Sequence, residues 1–203
     1  MRRKVCALMM IPALLLTGCG KKSDGERAEE LLTEVRGEYL EAAVCTGQAA
    51  ITADYGQRVY TYDLTFNWQR EGETVLTITG PENVAGTVAR IAEGETVLEY
   101  DGVMVETGPL DADGLTPMGA VPALLACVRE GYLAECSLED WDGEERLHIT
   151  SRETEKSPGQ GVETQLWFDA ATHMLLRGEI SQDGTTVLQC DITGFAMQKE
   201  VSE

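Results

Sequence analysis

Histidine is nearly absent from this chain, with two among 203 residues, and aromatic residues make up only 6% of it. Lys and Arg number 16 against 35 Asp and Glu, a net charge of −19. So strong a shortage of positive charge argues against a nucleic-acid partner, whose phosphates need a basic face. Long hydrophobic runs are missing too: no stretch of about 18 apolar residues is available to cross a bilayer as a helix. The sequence holds no Gly-x-Ser-x-Gly, His-Glu-x-x-His, Cys-x-x-Cys or phosphate-loop motif, so no catalytic residue, cofactor or metal is expected. What is present, 43% apolar and 25% charged residues, suits one globular domain with a real core and excludes disorder and fibrous structure.

The N-terminus reads as an address. Arg2, Arg3 and Lys4 precede an apolar stretch over 5–16, too short to span a bilayer and shaped like a secretory h-region. Leu16-Thr17-Gly18-Cys19 follows directly and resembles the lipobox of bacterial lipoproteins, in which cleavage before the Cys leaves a lipid on its sulfur. Residues 1–18 are therefore expected to be a lipoprotein signal peptide, 19–23 a lipidated Cys19 with a short tether, and 24–203 a single domain. Acyl chains contribute about 0.8 kcal/mol per buried methylene, so two or three on Cys19 would hold the protein on a membrane outside the cytosol. Loss of the three leading positive charges takes the mature chain from −19 to −22.

With Cys6 removed and Cys19 acylated, Cys45, Cys127, Cys136 and Cys190 remain in a compartment that permits disulfides. Cys127 with Cys136 and Cys45 with Cys190 is the first pairing to test; four buried free thiols are equally open.

Ser23-Asp24-Gly25-Glu26 has the form of a capping box, and Ala28, Leu31, Leu32, Val35, Tyr39 and Ala42 then recur at helical spacing, an amphipathic helix of about five turns. Alternating segments follow: Cys45, Ala49, Ile51 and Ala53, then Tyr60, Tyr62, Leu64, Phe66 and Trp68, each against polar neighbours. Turn signals recur at Glu71-Gly72-Glu73, Glu93-Gly94-Glu95, Asp101-Gly102, Asp142-Gly143 and Asp183-Gly184, the punctuation of a meandering antiparallel sheet. One stretch departs from this: Thr116-Pro117 reads as a helix start, with Val121, Leu124, Leu125, Val128 and Tyr132 along one face. Further strands are expected near 145–152, 162–169, 174–182 and 185–195.

That order, with the closing patterns Leu166-Trp167-Phe168-Asp169, Leu176-Arg177-Gly178-Glu179-Ile180 and Ile192-Thr193-Gly194-Phe195, resembles the LolA-like superfamily. The resemblance implies a mainly β, α+β fold: a half-open antiparallel β-barrel with an N-terminal amphipathic helix and a mid-chain apolar helix on the concave side. Gly80-Pro81-Glu82-Asn83-Val84-Ala85-Gly86, with Tyr100-Asp101-Gly102 and Leu115-Thr116-Pro117-Met118, is most similar to the clostridial germination-type lipoproteins of that superfamily. A non-enzymatic, membrane-anchored lipoprotein holding a lipid or lipoprotein acyl chain is the function this implies. The alternative is an adaptor for another envelope protein, such as a cell-wall hydrolase in sporulation or germination. Open sheet edges would also permit strand exchange in a homodimer.

Candidate ligand-lining residues are Tyr60, Tyr62, Leu64, Phe66 and Trp68 with Leu124, Leu125 and Val128; the other reading of each is plain core. Trp167 points opposite to Leu166 and Phe168, so it is either an exposed interface residue or packed beneath the first helix. His148 is expected to face solvent and His173 to serve a turn. Glu139, Asp140, Asp142, Glu144 and Glu145 read as a solvated hairpin rather than a calcium loop, because their register is wrong for one.

Overall fold

A computed structural model describes residues 22–199, so the signal segment and Cys19 lie outside the described residues. Helix α1 (Asp24–Glu41) begins at the capping box: Ser23 N–H donates to Glu26 Oε2 at 2.9 Å and Glu26 N–H to Ser23 Oγ at 3.3 Å. Ala28, Val35 and Tyr39 form its buried stripe. The chain passes directly from Glu41 into β1 (Ala42–Asp54) and continues as β2 (Val59–Gln69), β3 (Thr74–Gly80), β4 (Val88–Ala92), β5 (Glu95–Tyr100) and β6 (Val103–Glu106). Helix α2 (Pro117–Glu130) follows, then β7 (Leu133–Trp141), β8 (Glu144–Arg152), β9 (Val162–Asp169), β10 (Leu175–Gln182) and β11 (Thr185–Lys199).

All eleven strands form one antiparallel sheet ordered β6-β5-β4-β3-β2-β1-β11-β10-β9-β8-β7. Two meanders are thus sewn together where β1 pairs with β11, from Ala42 opposite Lys199 to Ala53 opposite Leu188. The sheet does not close, and β6 and β7 are its two edges. Because α2 connects those two edges, the chain must cross the whole breadth of one face between them. That face is the concave one, and both helices cover it.

The hairpin turns have the expected chemistry. Glu93-Gly94, Asp101-Gly102, Asp142-Gly143 and Asp183-Gly184 each hold two successive positive φ angles, as a type I′ turn demands. The turn joining β9 to β10 is built differently. One oxygen of Asp169 accepts from Thr172 N–H at 2.8 Å, Ala171 N–H at 3.0 Å and the Thr172 hydroxyl at 3.0 Å, while Arg146 pairs with the other. Burial alone would raise this carboxyl, but those hydrogen bonds and Arg146 outweigh it and hold the group below the usual range. The Phe-Asp, turn, Leu pattern therefore has a physical cause: the aspartate satisfies the backbone of its own turn.

Two expectations are corrected. Helix α2 stops at Glu130, where Gly131 N–H bonds Cys127 O, so Tyr132 lies beyond it and is exposed. The segment after it is a strand, β7, which the periodicity did not single out.

Candidate functional site

The concave face is where the candidate lining residues meet. Along β2, every second residue from Tyr60 to Trp68 faces inward, and register carries this face to Ile51 and Cys45 on β1 and to Leu76 and Ile78 on β3. Across it lies α2, capped at its start by the Thr116 hydroxyl, which accepts from Gly119 N–H. At its other end Arg36 of α1 donates to the carbonyls of Arg129 and Gly131 at 3.0–3.2 Å, placing a cation where the helix dipole favours one.

Of the eight residues read as a ligand lining, five form a closed core. Leu64, Phe66, Leu124, Leu125 and Val128 are all buried in one cluster. Gly178 of β10 shows how closely α2 is seated: a Cβ there would lie 2.4 Å and 2.5 Å from the two methyls of Leu124. Trp68 is half-buried beneath the Arg129 guanidinium, 4.8 Å from the ring centroid. Only the far end of the row is open. Tyr62 is half-buried and Tyr60 is 38% exposed; Tyr60 stacks with Tyr62 at 6.5 Å between ring centroids and meets Tyr55 at a tilt at 6.3 Å.

Two hollows lie beside α2 rather than beneath it. One groove of about 830 Å³ runs between α1 and the α2–β7 junction, lined by Leu32, Leu40, Tyr132 and Leu133 with Arg36 at its side. A second, about 420 Å³, lies on the other flank of the helix C-terminus and is walled by Cys127, Ser151, Arg152 and Thr164.

All four described cysteines are free thiols. A bridge between Cys45 and Cys190 is excluded by register: Cys190 lies opposite Ile51, six positions along β1 from Cys45, roughly 20 Å at ~3.3 Å per residue, whereas a disulfide tolerates about 7 Å between Cα atoms. Cys127 and Cys136 are likewise unbridged; Cys127 lies beside the Ser151 and Thr164 hydroxyls and Cys136 sits on β7 opposite Ile149. Burial pushes the Cys45 thiol up to about 11 and the Cys190 thiol up to about 12.

The convex face holds a cluster whose partners the sequence did not reveal. Trp167 is only 7% exposed, yet it lies on the side away from α1, so neither anticipated placement holds. His148 stacks on it at 4.4 Å, Trp141 lies at 5.8 Å, and Arg177 covers it from β10. Glu139 ties the group together, accepting from Trp167 Nε1 at 3.1 Å and meeting His148 Nδ1 at 2.7 Å. His148 is on the predicted face but mostly covered. His173 is at the β9–β10 turn, 3.0 Å from Glu38, and its carbonyl accepts from the Tyr39 hydroxyl. Among the described residues no cluster of His, Cys, Asp and Glu could hold a metal ion.

No family model and no curated protein matches this chain. Solved structures do. A structure assigned as an outer membrane lipoprotein-sorting protein domain of Vibrio parahaemolyticus aligns over 87% of this chain and 95% of its own, at 14% identity and a TM-score of 0.50. A LolA superfamily protein of Nitrosomonas europaea aligns over 86% and 94% at 10% identity and 0.43. The complex of the CwlD amidase with the GerS lipoprotein from Clostridioides difficile contains a chain aligning over 91% and 99% at 12% and 0.39. At these identities the likeness is one of architecture. One open antiparallel sheet, two helices on its hollow side and the alignment with the Vibrio parahaemolyticus domain together give the chain the LolA-like half-open barrel fold.

Proposed function

We propose that this protein is a membrane-anchored, extracytoplasmic adaptor that holds another envelope protein, Cys19 carrying the anchor and the sheet carrying the partner. One observation supports it above the others: α2 already fills the concave face, with Leu124, Leu125 and Val128 packed against Leu64 and Phe66. A half-barrel that carries acyl chains needs that space. The fold thus keeps its architecture while its hollow is occupied by its own helix. The sequence likeness to germination-type lipoproteins makes a cell-wall hydrolase the first partner to seek.

The test is capture of the full-length protein from envelopes of its own host, paired with lipid extraction of the purified chain. A stoichiometric envelope protein without co-purifying lipid supports the adaptor; bound lipid without a protein partner overturns it. Cys19→Ala, or globomycin treatment, releases the protein from the membrane if the anchor reading is right.

A second reading rests on the groove between α1 and the α2–β7 junction, whose apolar walls and volume of about 830 Å³ suit a single acyl chain. Leu40→Asp there abolishes binding of a fluorescent fatty acid on this reading, and leaves any binding unchanged if the groove is unused.

A further inference from the structure

We infer that the outer edge of β6 receives an extended segment of the partner protein, added as a further antiparallel strand, and that this segment alternates apolar with basic residues. The inference deepens the adaptor reading and rests on it.

The edge is open and apolar. Val103, Met104 and Val105 are 62%, 62% and 52% exposed, and no described residue covers them. Sheet edges in monomeric proteins are normally blunted by Lys, Pro, a bulge or a covering element. Strand β6 is short, four residues, and carries one charge, Glu106, but it has no Lys, Pro, bulge or covering element, being Val-Met-Val-Glu in regular register with β5. The other edge, β7, is treated differently: α1 packs against it, and Glu135, Glu139 and Asp140 stud it with charge.

Hairpin geometry says which groups are free. Tyr100 and Val103 flank the two-residue turn Asp101-Gly102, so they form the hydrogen-bonded pair that closes it. Alternation then turns the backbone N–H and C=O of Met104 and Glu106 outward. Side chains alternate as well: Val103 and Val105 share the concave side with Tyr100 and Leu98, while Met104 and Glu106 share the convex side with Glu99 and Val97.

Charge selects the occupant. Between Thr74 and Thr116 the chain has eight acidic residues and one basic one, Arg90. Arg90 is already engaged, 2.8 Å from Glu73 and 3.8 Å from Glu99. A second copy of this chain would bring an equally acidic edge to Glu106 and Glu99, and like charges oppose that pairing. A strand with valine-like residues on the concave side and Lys or Arg on the convex side meets both faces at once.

The test follows amide exchange at Met104 and Glu106 in the whole mature chain on adding an acetylated decapeptide alternating Val and Lys. Its controls are a Val/Glu decapeptide and the Val/Lys peptide N-methylated along one edge. The Val/Lys peptide is expected to slow exchange at both amides by at least about tenfold, equivalent to ~1.4 kcal/mol, and neither control does so. Met104→Pro removes an outward donor without touching the β5 ladder and abolishes the protection; Glu106→Lys, which preserves the backbone, shifts preference to the Val/Glu peptide.

Equal protection by the Val/Glu peptide overturns the inference, as does protection by the N-methylated peptide or in Met104→Pro. Protection without peptide that grows with protein concentration assigns the edge to a second copy and also overturns it. Native capture separates this from the adaptor reading. An envelope protein retained equally by wild type and Met104→Pro ends the edge inference alone; peptide protection without any captured protein ends the adaptor reading alone.

Discussion

The two ends of the sheet are built from the same local signals and reach different ends. From β7 to β11, alternating strands joined by short turns, apart from the loop over 153–161, bury Leu147, Ile149, Leu166, Phe168, Leu175, Ile180 and Leu188 beneath two helices. From β4 to β6, equally regular hairpins bury little beyond Ala89 and Thr96. Nothing in strand periodicity separates them. The difference is what lies over the concave face: α1 and α2 cover the β7–β11 half and reach as far as β2, leaving the wing with one side half-dry and an apolar margin. On the proposed reading, these apolar residues, which stabilise no core, serve contact with the partner.

The largest effect should come from the covered half. Leu124 is fully buried between α2 and the sheet, so Leu124→Ala is expected to cost about 2–5 kcal/mol in urea unfolding, a truncation plus the cavity left behind. Val105→Ala on the wing should change stability by less than about 0.5 kcal/mol. If the two costs are alike, the contrast between covered and open halves is wrong.

Gly178→Val probes the same seat from below. The new side chain must enter the space of the Leu124 methyls, and α2 is held at its C-terminal end by Arg36 of α1 and just before its start by the Tyr55 hydroxyl, which donates to Leu115 O, so it cannot simply lift away. Overpacking of this kind costs about 1–3 kcal/mol. The expected readout is a lowered unfolding midpoint together with new exposure of the α1–α2 groove to a hydrophobic dye. A lowered midpoint without dye binding means that the helix remains seated and the sheet deforms instead.

How much of this was legible in sequence divides along the same line. Local chemistry was readable: Ser23 and Glu26 announced the capping box, Thr116-Pro117 the second helix, and the Asp-Gly pairs their turns. Those signals act within four residues and need no tertiary partner. Periodicity also told which side of β2 faces inward, but a periodic face does not say whether a ligand or a helix covers it, so Leu64 and Phe66 read equally well as lining or core. Trp167 failed for a related reason, since its cover comes from His148, Trp141 and Arg177 on three neighbouring strands. The pairing of Cys45 with Cys190 failed on register, six residues of offset that no spacing along the chain reveals.

Asp169 carries a smaller effect with a pH signature. Its carboxyl is held below the ordinary value, so its contribution to stability is present above that value, about 3.9, and is lost as the pH falls through the lower folded value. Asp169→Ala should cost about 1–2 kcal/mol at pH 7, for the hydrogen bonds within the turn and the pair with Arg146. The gap between wild type and variant should narrow progressively as unfolding is repeated at pH values below the ordinary carboxylate value. A gap independent of pH would mean that the turn depends on the shape of the side chain rather than on its charge.

The smallest effect has the opposite sign and belongs to the wing. Thr96 of β5 is buried on the concave side, and among the described residues its hydroxyl has no hydrogen-bond partner. An unpaired buried hydroxyl forfeits its water without compensation, whereas valine fills nearly the same space with no such cost. Backbone pairing does not depend on the side chain, because Thr96 N–H and C=O bond Gly108 and Thr107. Thr96→Val is therefore expected to raise stability by about 0.5–1 kcal/mol while leaving the β6 edge and its exchange behaviour unchanged. Stabilisation of that size would identify the wing as a part of the fold not optimised for its own packing, as a surface built to be covered by a partner would be. Destabilisation would mean instead that the hydroxyl finds a partner in solution, and that the wing is better packed than its exposure suggests.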